Sequence, residues 1–317
     1  MSEALAGARP VDAGTRAKIA IPFIVCTLVW SSTWLVIRFQ LGAVPPAWSV
    51  TYRFLIACVA MMAYARFTGA SLRLNARQHG FAAIYGIAQY ALNYYAVYIA
   101  EVTVTSGLVA VLFALLIVPN ALLAWIFLKQ GVSRAFLIGS AVAMIGVALL
   151  FAQEMHVAAA GAALSRHALW IGIGWSLAGV LFSSIANVMQ AAPQARAIPV
   201  ATLIAWGMAW GGVFDAGTAW WMDGPPVIDP HPAYWLGTLY LGLIGSALAF
   251  SCYFVVIRAI GPGRAAYSSV LSPVLAMLLS TLFEGYRWSI PAAVGGVLSI
   301  VGLLVALRAK QSARPAR

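Results

Sequence analysis

The stretch T-S-G-L-V-A-V-L-F-A-L-L-I-V-P-N-A-L-L-A-W-I-F-L, residues 105–128, contains no charged side chain. A helix needs about 20 mostly apolar residues to cross the hydrocarbon core of a bilayer, and a membrane strand needs about half as many. The stretch also lacks the strict alternation of a barrel strand. It therefore predicts a membrane-spanning helix that leaves the lipid near the flanking charged residues Glu101 and Lys129.

Nine further apolar stretches of similar length follow one another along the chain, and short connections, many with glycine or proline, separate them. Short connections force neighbouring helices to run antiparallel. The sequence therefore predicts an all-α integral membrane protein that crosses the bilayer ten times. The ten predicted spans are 19–39, 47–66, 81–100, 105–128, 135–152, 168–188, 199–220, 233–257, 265–283 and 291–307.

The charged residues alternate between the two sides of this arrangement. With the N-terminus in the cytoplasm, 15 of the 19 Lys and Arg residues fall in inner segments, whereas six of the eight acids fall at outer ends. Cationic loops resist translocation, so the distribution predicts a bacterial inner-membrane protein with both termini in the cytoplasm. Arg53 lies inside a span, Glu101 and Asp215 are assigned to outer ends, and no acid is placed at mid-span.

The composition excludes several other classes. Only 9% of the residues are charged, against about 25% in a soluble domain. The net charge of +11 is spread over short loops, which argues against nucleic-acid binding and suits anionic lipid. The three cysteines lie in apolar runs without a C-x-x-C pair, so no metal or other cofactor is expected. A cleaved signal peptide is not expected either, because no A-x-A site follows the first span.

The two halves of the chain carry related patterns. Residues 28–32, L-V-W-S-S, match residues 180–184, V-L-F-S-S, at an offset of 152. Three small residues late in each half match at an offset of 156: Ser133 with Ser289, Gly139 with Gly295, and Gly146 with Gly302. Five spans in each half would insert the second copy upside down. Such inverted repeats commonly build alternating-access carriers, whose binding site lies near the membrane midplane.

This pattern predicts a division of the chain into five parts. They are a cytoplasmic segment 1–18, a first five-helix repeat 19–152, an outer connecting loop 153–167, a second, inverted five-helix repeat 168–307, and a cytoplasmic tail 308–317.

Five plus five spans, the paired S-S motifs, the run Tyr52-Arg53-Phe54 and the S-x5-G-x6-G endings resemble the EamA-type family of the drug/metabolite transporter superfamily. The resemblance covers nearly the whole chain and implies export of small organic solutes. The aromatic-rich spans are similar to those of the YddG-type aromatic amino acid exporters in that family. The chain departs from the family where a Gly-Glu pair often follows spans four and nine. It has Lys129-Gln130 and Gly285-Tyr286 there, with Glu284 displaced.

Polar and aromatic residues at mid-depth of the spans are the candidate lining of a solute cavity. A polar side chain is costly in lipid, so it faces a neighbouring helix or a wet cavity. Amides and hydroxyls suit the polar end of an amphipathic solute, and rings suit its apolar body. The predicted substrate-binding residues are Trp30, Ser31, Trp34, Gln89, Tyr90, Asn93, Tyr94, Phe182, Ser183, Ser184, Asn187, Ser246, Tyr253 and Ser272.

Each candidate also has a purely structural alternative. Serines in membrane helices often donate to the carbonyl four residues earlier, and aromatic rings also serve as packing. Arg53, six residues into span two, either snorkels to the outer head groups, forms an ion pair, or contacts a solute carboxylate. Pro119 and Pro273 interrupt spans four and nine, as hinges or as static kinks. We assign these three residues structural or gating roles.

The leading hypothesis is a membrane carrier that exports amino acids, aromatic or otherwise apolar, by alternating access. Proton-coupled carriers commonly use a buried carboxylate, so the lack of a mid-span acid favours facilitated diffusion. The alternative is a drug, nucleoside or other metabolite carrier, with or without proton coupling. An intramembrane enzyme is disfavoured and no catalytic residue is assigned, because neither G-x-S-x-G nor H-E-x-x-H occurs. The expected partners are a small-molecule solute and the lipid bilayer. The oligomeric state is left open, and a monomer satisfies the pattern.

We expect both chain ends to face the cytoplasm, because the positive loops hold that orientation. Epitope tags at the two termini should both survive protease treatment of intact spheroplasts and both be removed from inverted vesicles. Tags on opposite faces would require an odd number of spans and would contradict the ten-span arrangement.

Overall fold

A computed structural model describes residues 13–42, 44–104, 106–160, 166–283 and 289–308, and every regular element within these ranges is helical. This confirms the predicted all-α class. The N-terminal twelve residues, the tail from 309, and the Glu284 to Tyr286 stretch that departs from the family pattern lie outside the described residues.

The α-helices are α1 (Ala13–Gln40), α2 (Pro46–Phe67), α3 (Ala76–Gly86), α4 (Asn93–Thr103), α5 (Ser106–Phe113), α6 (Ile117–Leu128), α7 (Arg134–Ala160), α8 (Arg166–Ala191), α9 (Pro193–Arg196), α10 (Val200–Asp223), α11 (Pro232–Gly242), α12 (Ala249–Ile260), α13 (Pro262–Ala265), α14 (Tyr267–Phe283) and α15 (Ile290–Arg308). Two π-helical segments, π1 (Ile87–Leu92) and π2 (Leu243–Leu248), join α3 to α4 and α11 to α12. A 3₁₀ segment, Ala114–Leu116, joins α5 to α6.

Helix α7 continues to Ala160, well into the predicted outer loop that begins at residue 153. The added residues include the run V-A-A-A, and alanine has the highest helix propensity of any residue. A hydropathy pattern locates the part of a helix inside the lipid, whereas helix propensity sets how far the helix extends beyond it.

Five helical segments of the described chain are long and apolar enough to cross a membrane: Lys18–Gln40, Pro46–Phe67, Ser106–Leu128, His167–Ala191 and Pro232–Ile260. Large apolar side chains cover the outside of the helices, and Val59 and Phe127, for example, are about 70% exposed. Apolar surface on this scale marks contact with another apolar phase. Lipid is the phase that these helix lengths fit.

Glycines bring α7 and α15 into backbone contact. A Cβ atom on Gly139 would lie 2.6 Å from the carbonyl oxygen of Gly302, and one on Gly146 would lie 2.5 Å from that of Gly295. Small residues at such spacing let membrane helices approach closely, which strengthens van der Waals packing. All four matched glycines therefore lie at this contact, but crosswise: Gly139 meets Gly302 rather than its sequence match Gly295, and Gly146 meets Gly295.

The two prolines assigned hinge or kink roles have different surroundings. Pro119 follows the 3₁₀ segment between α5 and α6, and Pro273 lies inside α14. Proline has no N–H group, so Pro273 leaves the carbonyl of Ser269, four residues earlier, without its helical partner. A hinge role for either proline stays a prediction.

Gly302→Ala should lower stability by about 1–3 kcal/mol, the usual cost of overpacking, because the new methyl group overlaps backbone atoms of Ala143 and Gly139. Gly174→Ala is the matched control, since nothing lies within 4 Å of its Cβ position in the interior of α8. Thermal unfolding of the purified proteins in detergent measures the stability of both variants. Equal midpoints would show that the α7–α15 contact does not limit stability.

Candidate solute-binding site

A cavity of about 60 Å³, measured as the space open to the centre of a water molecule, lies among α1, α4, α5, α8, α12, α14 and their π and 3₁₀ neighbours. One water needs about 10–15 Å³ by this measure, so the cavity has room for a few waters or a small solute. Its lining comes from both halves of the chain: Trp30, Thr33, Trp34, Ile37, Gln89, Asn93, Tyr94, Val97, Phe113, Leu116, Ser183, Asn187, Phe250, Tyr253, Ser269 and Ser272.

Nine of the fourteen predicted substrate-binding residues line this cavity. They are Trp30, Trp34, Gln89, Asn93, Tyr94, Ser183, Asn187, Tyr253 and Ser272. Their presence in the lining does not establish a binding role, which stays a prediction. It does show that five separate spans bring these residues together around one space.

The other five predicted residues lie outside the lining, for reasons that the contacts show. Ser31 donates its hydroxyl to the carbonyl of Thr27 at 2.6 Å, which is the structural alternative foreseen for serines. The Tyr90 hydroxyl pairs with that of Tyr85 at 2.6 Å, and Ser246 accepts from the Nε atom of Arg53 at 2.9 Å. The remaining two are Ser184, which is fully buried, and Phe182, which is partly exposed on α8.

Seven lining residues were not predicted: Thr33, Ile37, Val97, Phe113, Leu116, Phe250 and Ser269. Helical spacing provides a signal for some of them. Ile37 is three residues after Trp34, Val97 is four after Asn93, and Phe250 is three before Tyr253, so each shares a face with a predicted residue. No such signal marks Phe113 or Leu116, because their helical segment is apolar on every side.

Amide side chains form the polar part of the lining. The Nδ2 atom of Asn93 donates to the carbonyl of Gln89 at 3.3 Å, and that of Asn187 lies 3.4 Å from the hydroxyl of Tyr253. The amide oxygens of Gln89, Asn93 and Asn187 are buried and have no partner among the described residues. A buried amide oxygen without a hydrogen bond is costly, so these three oxygens favour a bound N–H donor.

Aromatic rings form the apolar part. The Trp30 ring packs edge-on against Phe250 and Tyr253, with centroids 5.2 and 4.8 Å apart, and Trp34 lies 5.3 Å from Phe113. Hydrogen bonds hold both indoles: Trp30 donates to the carbonyl of Gly245 at 3.1 Å and Trp34 to the hydroxyl of Ser272 at 3.2 Å. The rings are therefore oriented before any solute arrives.

Arg53 is fully buried, so the snorkelling alternative is wrong. Its guanidinium points between helices, where Nε donates to Ser246 and Nη2 approaches the carbonyl of Gly245 at 3.5 Å. Its Cζ atom lies 4.3 Å from the centre of the Tyr94 ring. The helices packed around α2 enclose the Arg53 side chain, which therefore points inward rather than toward the head groups.

Two acids assigned to outer ends are covered by neighbouring helices. Glu101, near the end of α4, is fully buried, and Asp215 is 3% exposed inside α10, eight residues before the helix ends. Both oxygens of Glu101 and Oδ2 of Asp215 lack partners within the described ranges. Sequence position gave their depth along a helix only roughly, and it could not show that neighbouring helices cover them.

The model of the EamA-like transporter family matches residues 17–152 and 170–308 of the chain. The chain belongs to this family. The match confirms the resemblance inferred from the motifs, and together with the apolar helices it supports an integral membrane transporter.

Several relatives of this EamA-like transporter match over most of its length. Protein PagO of Salmonella typhimurium is 23% identical, with 93% of this chain and 94% of the relative covered. The inner membrane transporter YedA of Escherichia coli is 28% identical, with 88% of each covered. A probable terminal-alkyne amino-acid exporter of Streptantibioticus cattleyicolor is 26% identical, with 91% and 93% covered.

A crystal structure of another protein shares the fold, with a TM-score of 0.73 and 18% identity. The alignment covers 92% of the EamA-like transporter and 97% of the other chain. At this identity the likeness concerns the fold alone.

Neighbouring serines on α8 test whether the cavity is wet. In a background with the three native cysteines replaced, Ser183→Cys should react with a water-soluble thiosulfonate reagent at least about tenfold faster than Ser184→Cys, because thiols react as solvated thiolates. Ser183 lines the cavity and Ser184 is fully buried outside it. Equal rates, measured by mass spectrometry, would contradict the assigned lining.

Proposed function

We propose that this transporter exports amino acids with aromatic or other apolar side chains, and that the cavity between its halves is the binding site. The observation that carries the proposal is the division of the lining into amide oxygens without partners and oriented aromatic rings. An amino acid has the same division between a charged end and an apolar side chain.

The contacts suggest how such a solute is held. Its ammonium group donates to the amide oxygens of Gln89, Asn93 and Asn187, which have no other described partner. Its side chain packs against Trp30 and Phe250, where edge-to-face contacts favour an aromatic ring. A solute without an N–H donor would leave the three amide oxygens unsatisfied, and the site would discriminate against it.

We further propose ten membrane spans in two inverted five-helix repeats, 19–152 and 168–307, with both termini in the cytoplasm. The family model matches in two parts that are close to these bounds. The packing supports the arrangement as well, because contacts come in equivalent pairs. Helix α2 packs on α10 and α7 on α15, while the contact of α1 with α12 corresponds to that of α8 with α4.

Transport then proceeds by rocking of one half against the other, which opens the cavity to each face in turn. The direction and the solute class draw support from the relative that is named a probable terminal-alkyne amino-acid exporter. In the first candidate mechanism the solute moves down its own gradient by facilitated diffusion. Pro119 and Pro273 are proposed hinges, since each interrupts the backbone hydrogen bonding of a helix beside the cavity.

Proton-coupled export is a second candidate, and the buried acids favour it. Both carboxylate oxygens of Glu101 and the Oδ2 atom of Asp215 are buried without hydrogen-bond partners in the part of the chain that is described. Acids in such places often carry protons in transporters. An imposed pH gradient across proteoliposomes separates the two mechanisms, because only coupling can drive accumulation above the external concentration.

The proposed site is tested by Gln89→Ala and Asn93→Ala in proteoliposomes with labelled phenylalanine. Each variant should lose about tenfold in kcat/KM, the scale of one hydrogen bond to a charged group. Gln130→Ala removes an amide in the loop after α6, outside the lining, and should transport as the unaltered protein does. Normal flux in both cavity variants at equal reconstituted amounts would discard the site.

A further inference from the structure

Arg53 is a buried cation that forms no ion pair with a carboxylate in the described part of the chain. Its side chain is 0% exposed, and its Nη1 atom has no hydrogen-bond partner among the described residues. The ion pair found within the described ranges is that of His231 with Asp229, away from Arg53. A guanidinium stays charged at physiological pH, and a buried charge without a partner is strongly unfavourable.

Neutral groups surround it, together with one acid, Glu101, that forms no ion pair with it. Tyr98 lies beside the guanidinium and donates its own hydroxyl to Gln40 at 3.0 Å. Glu101 interacts electrostatically with Arg53 and with Arg38 on α1, yet its carboxylate accepts a hydrogen bond from neither within the described residues. The guanidinium therefore retains capacity to donate to another anion.

The fold does not require a cation at this place. Gly86 and Gly242 are 156 residues apart, and each directly precedes a π segment. A Cβ atom on Gly86 would overlap the backbone of Gly207 on α10, whereas one on Gly242 would lie 2.8 Å from Ile56 and 3.1 Å from the carbonyl oxygen of Arg53 on α2. Helices α2 and α10 both begin after a proline N-cap, Pro45 and Pro199, and Arg53 and Gly207 each lie eight residues further on. In the proposed inverted repeat these two residues are therefore equivalent, and one half of the protein packs there with no side chain at all.

Beside Gly207, the rings of Tyr85 and Tyr90 fill the space that corresponds to the surroundings of Arg53. A Cβ atom on Gly207 would lie 2.6 Å from the Tyr85 ring and 3.1 Å from that of Tyr90. Aromatic rings would also fill the equivalent space at α2, where Arg53 lies, without the cost of burying a charge. A residue that breaks the symmetry of the fold at a cost in stability is a candidate for function.

Arg53 is separated from the cavity by one layer of rings. Tyr94 lines the cavity and also lies over the guanidinium, 4.3 Å from its Cζ atom. Trp30 lines the cavity too, and it donates to the carbonyl of Gly245 that the Nη2 atom of Arg53 approaches from the other side. A change in the Tyr94 rotamer would uncover the guanidinium to a bound solute.

We propose that Arg53, supported by Ser246 and covered by Tyr94, is the subsite that takes the carboxylate of the solute. This inference rests on the proposed function and narrows it, because the solute must then carry an anionic group in addition to its ammonium. Arg53 binds the carboxylate with its free Nη1 atom, and the amide oxygens of Gln89 and Asn93 accept from the ammonium. The two groups of a zwitterion are thereby held on separate sides of the cavity.

The test compares phenylalanine with its uncharged-carboxyl analogue phenylalaninamide and with phenethylamine as inhibitors of labelled phenylalanine flux in proteoliposomes. The unaltered protein should prefer phenylalanine over both analogues by about tenfold to a hundredfold, the range for a hydrogen bond to a charged group. In Arg53→Gln the preference should fall to about one. Arg53→Lys should keep part of it, since lysine supplies a charge but not the planar fork.

Arg258→Gln is the matched control. Arg258 also donates to buried backbone carbonyls, those of Ile198 and Ala195, but it lies outside the cavity lining. Its loss should leave the preference for phenylalanine over the amide unchanged, whatever it does to the rate.

The outcomes separate the two proposals. Absence of amino-acid flux in the unaltered protein would overturn the proposed function. Flux with no preference for the acid over the amide would overturn the carboxylate subsite alone, even if Arg53→Gln failed to insert. A preference that persists in Arg53→Gln would overturn it as well.

Discussion

Hydrocarbon offers no hydrogen bonds, so each backbone N–H and C=O group of a membrane-spanning segment must find its partner within the protein. The described chain satisfies this constraint with helices throughout, and the departures from α geometry are instructive. Each π segment packs one face against another helix, with Gly86 against α10 and Gly242 against α2. Residues 88–91 of π1 and 245–247 of π2 are buried, whereas Leu243, Ile244 and Leu248 of π2 are exposed.

The π segments also connect the helical scaffold to the cavity. Single π-helical turns occur frequently at functional sites. Gln89 lies in π1 and lines the cavity, and Gly245 lies in π2, where its carbonyl accepts from Trp30 and is approached by Arg53. The two π segments therefore have different chemistry. The first places the Gln89 amide at the cavity, and the second places a carbonyl between the Trp30 ring and the Arg53 guanidinium.

Departure from symmetry distinguishes the scaffold from the parts proposed to recognise a solute. The glycines of α7 and α15 meet crosswise, Gly139 with Gly302 and Gly146 with Gly295, and this contact needs no chemistry beyond small size. In the proposed inverted repeat, Arg53 and Gly207 are equivalent in position and opposite in character. Two halves with identical lining would recognise both ends of a solute in the same way, whereas an amino acid presents opposite charges at its two polar groups.

Sequence reasoning identified most of the candidate lining, and its errors concern the direction in which a side chain points from its helix. Gln89 and Asn93 were found because buried amides need partners, and Trp34 and Tyr253 because aromatic residues cluster with them. Tyr90 and Ser246 were predicted to face the cavity, but their hydroxyls pair with Tyr85 and Arg53 outside the lining. Depth follows from counting residues along one helix. The direction of a side chain depends on the π segments and on neighbouring helices, which no local pattern contains.

The sequence by itself determined the helical class and the membership of the family, because the exclusion of charge from about 20 consecutive residues is a property of one segment alone. Only the tertiary structure decided that Arg53, Glu101 and Asp215 are buried, that π1 and π2 interrupt two helices, and which polar residues face one cavity. These features depend on which helices pack together. Packing is decided by the fit between two helix surfaces, whereas hydropathy describes one helix at a time.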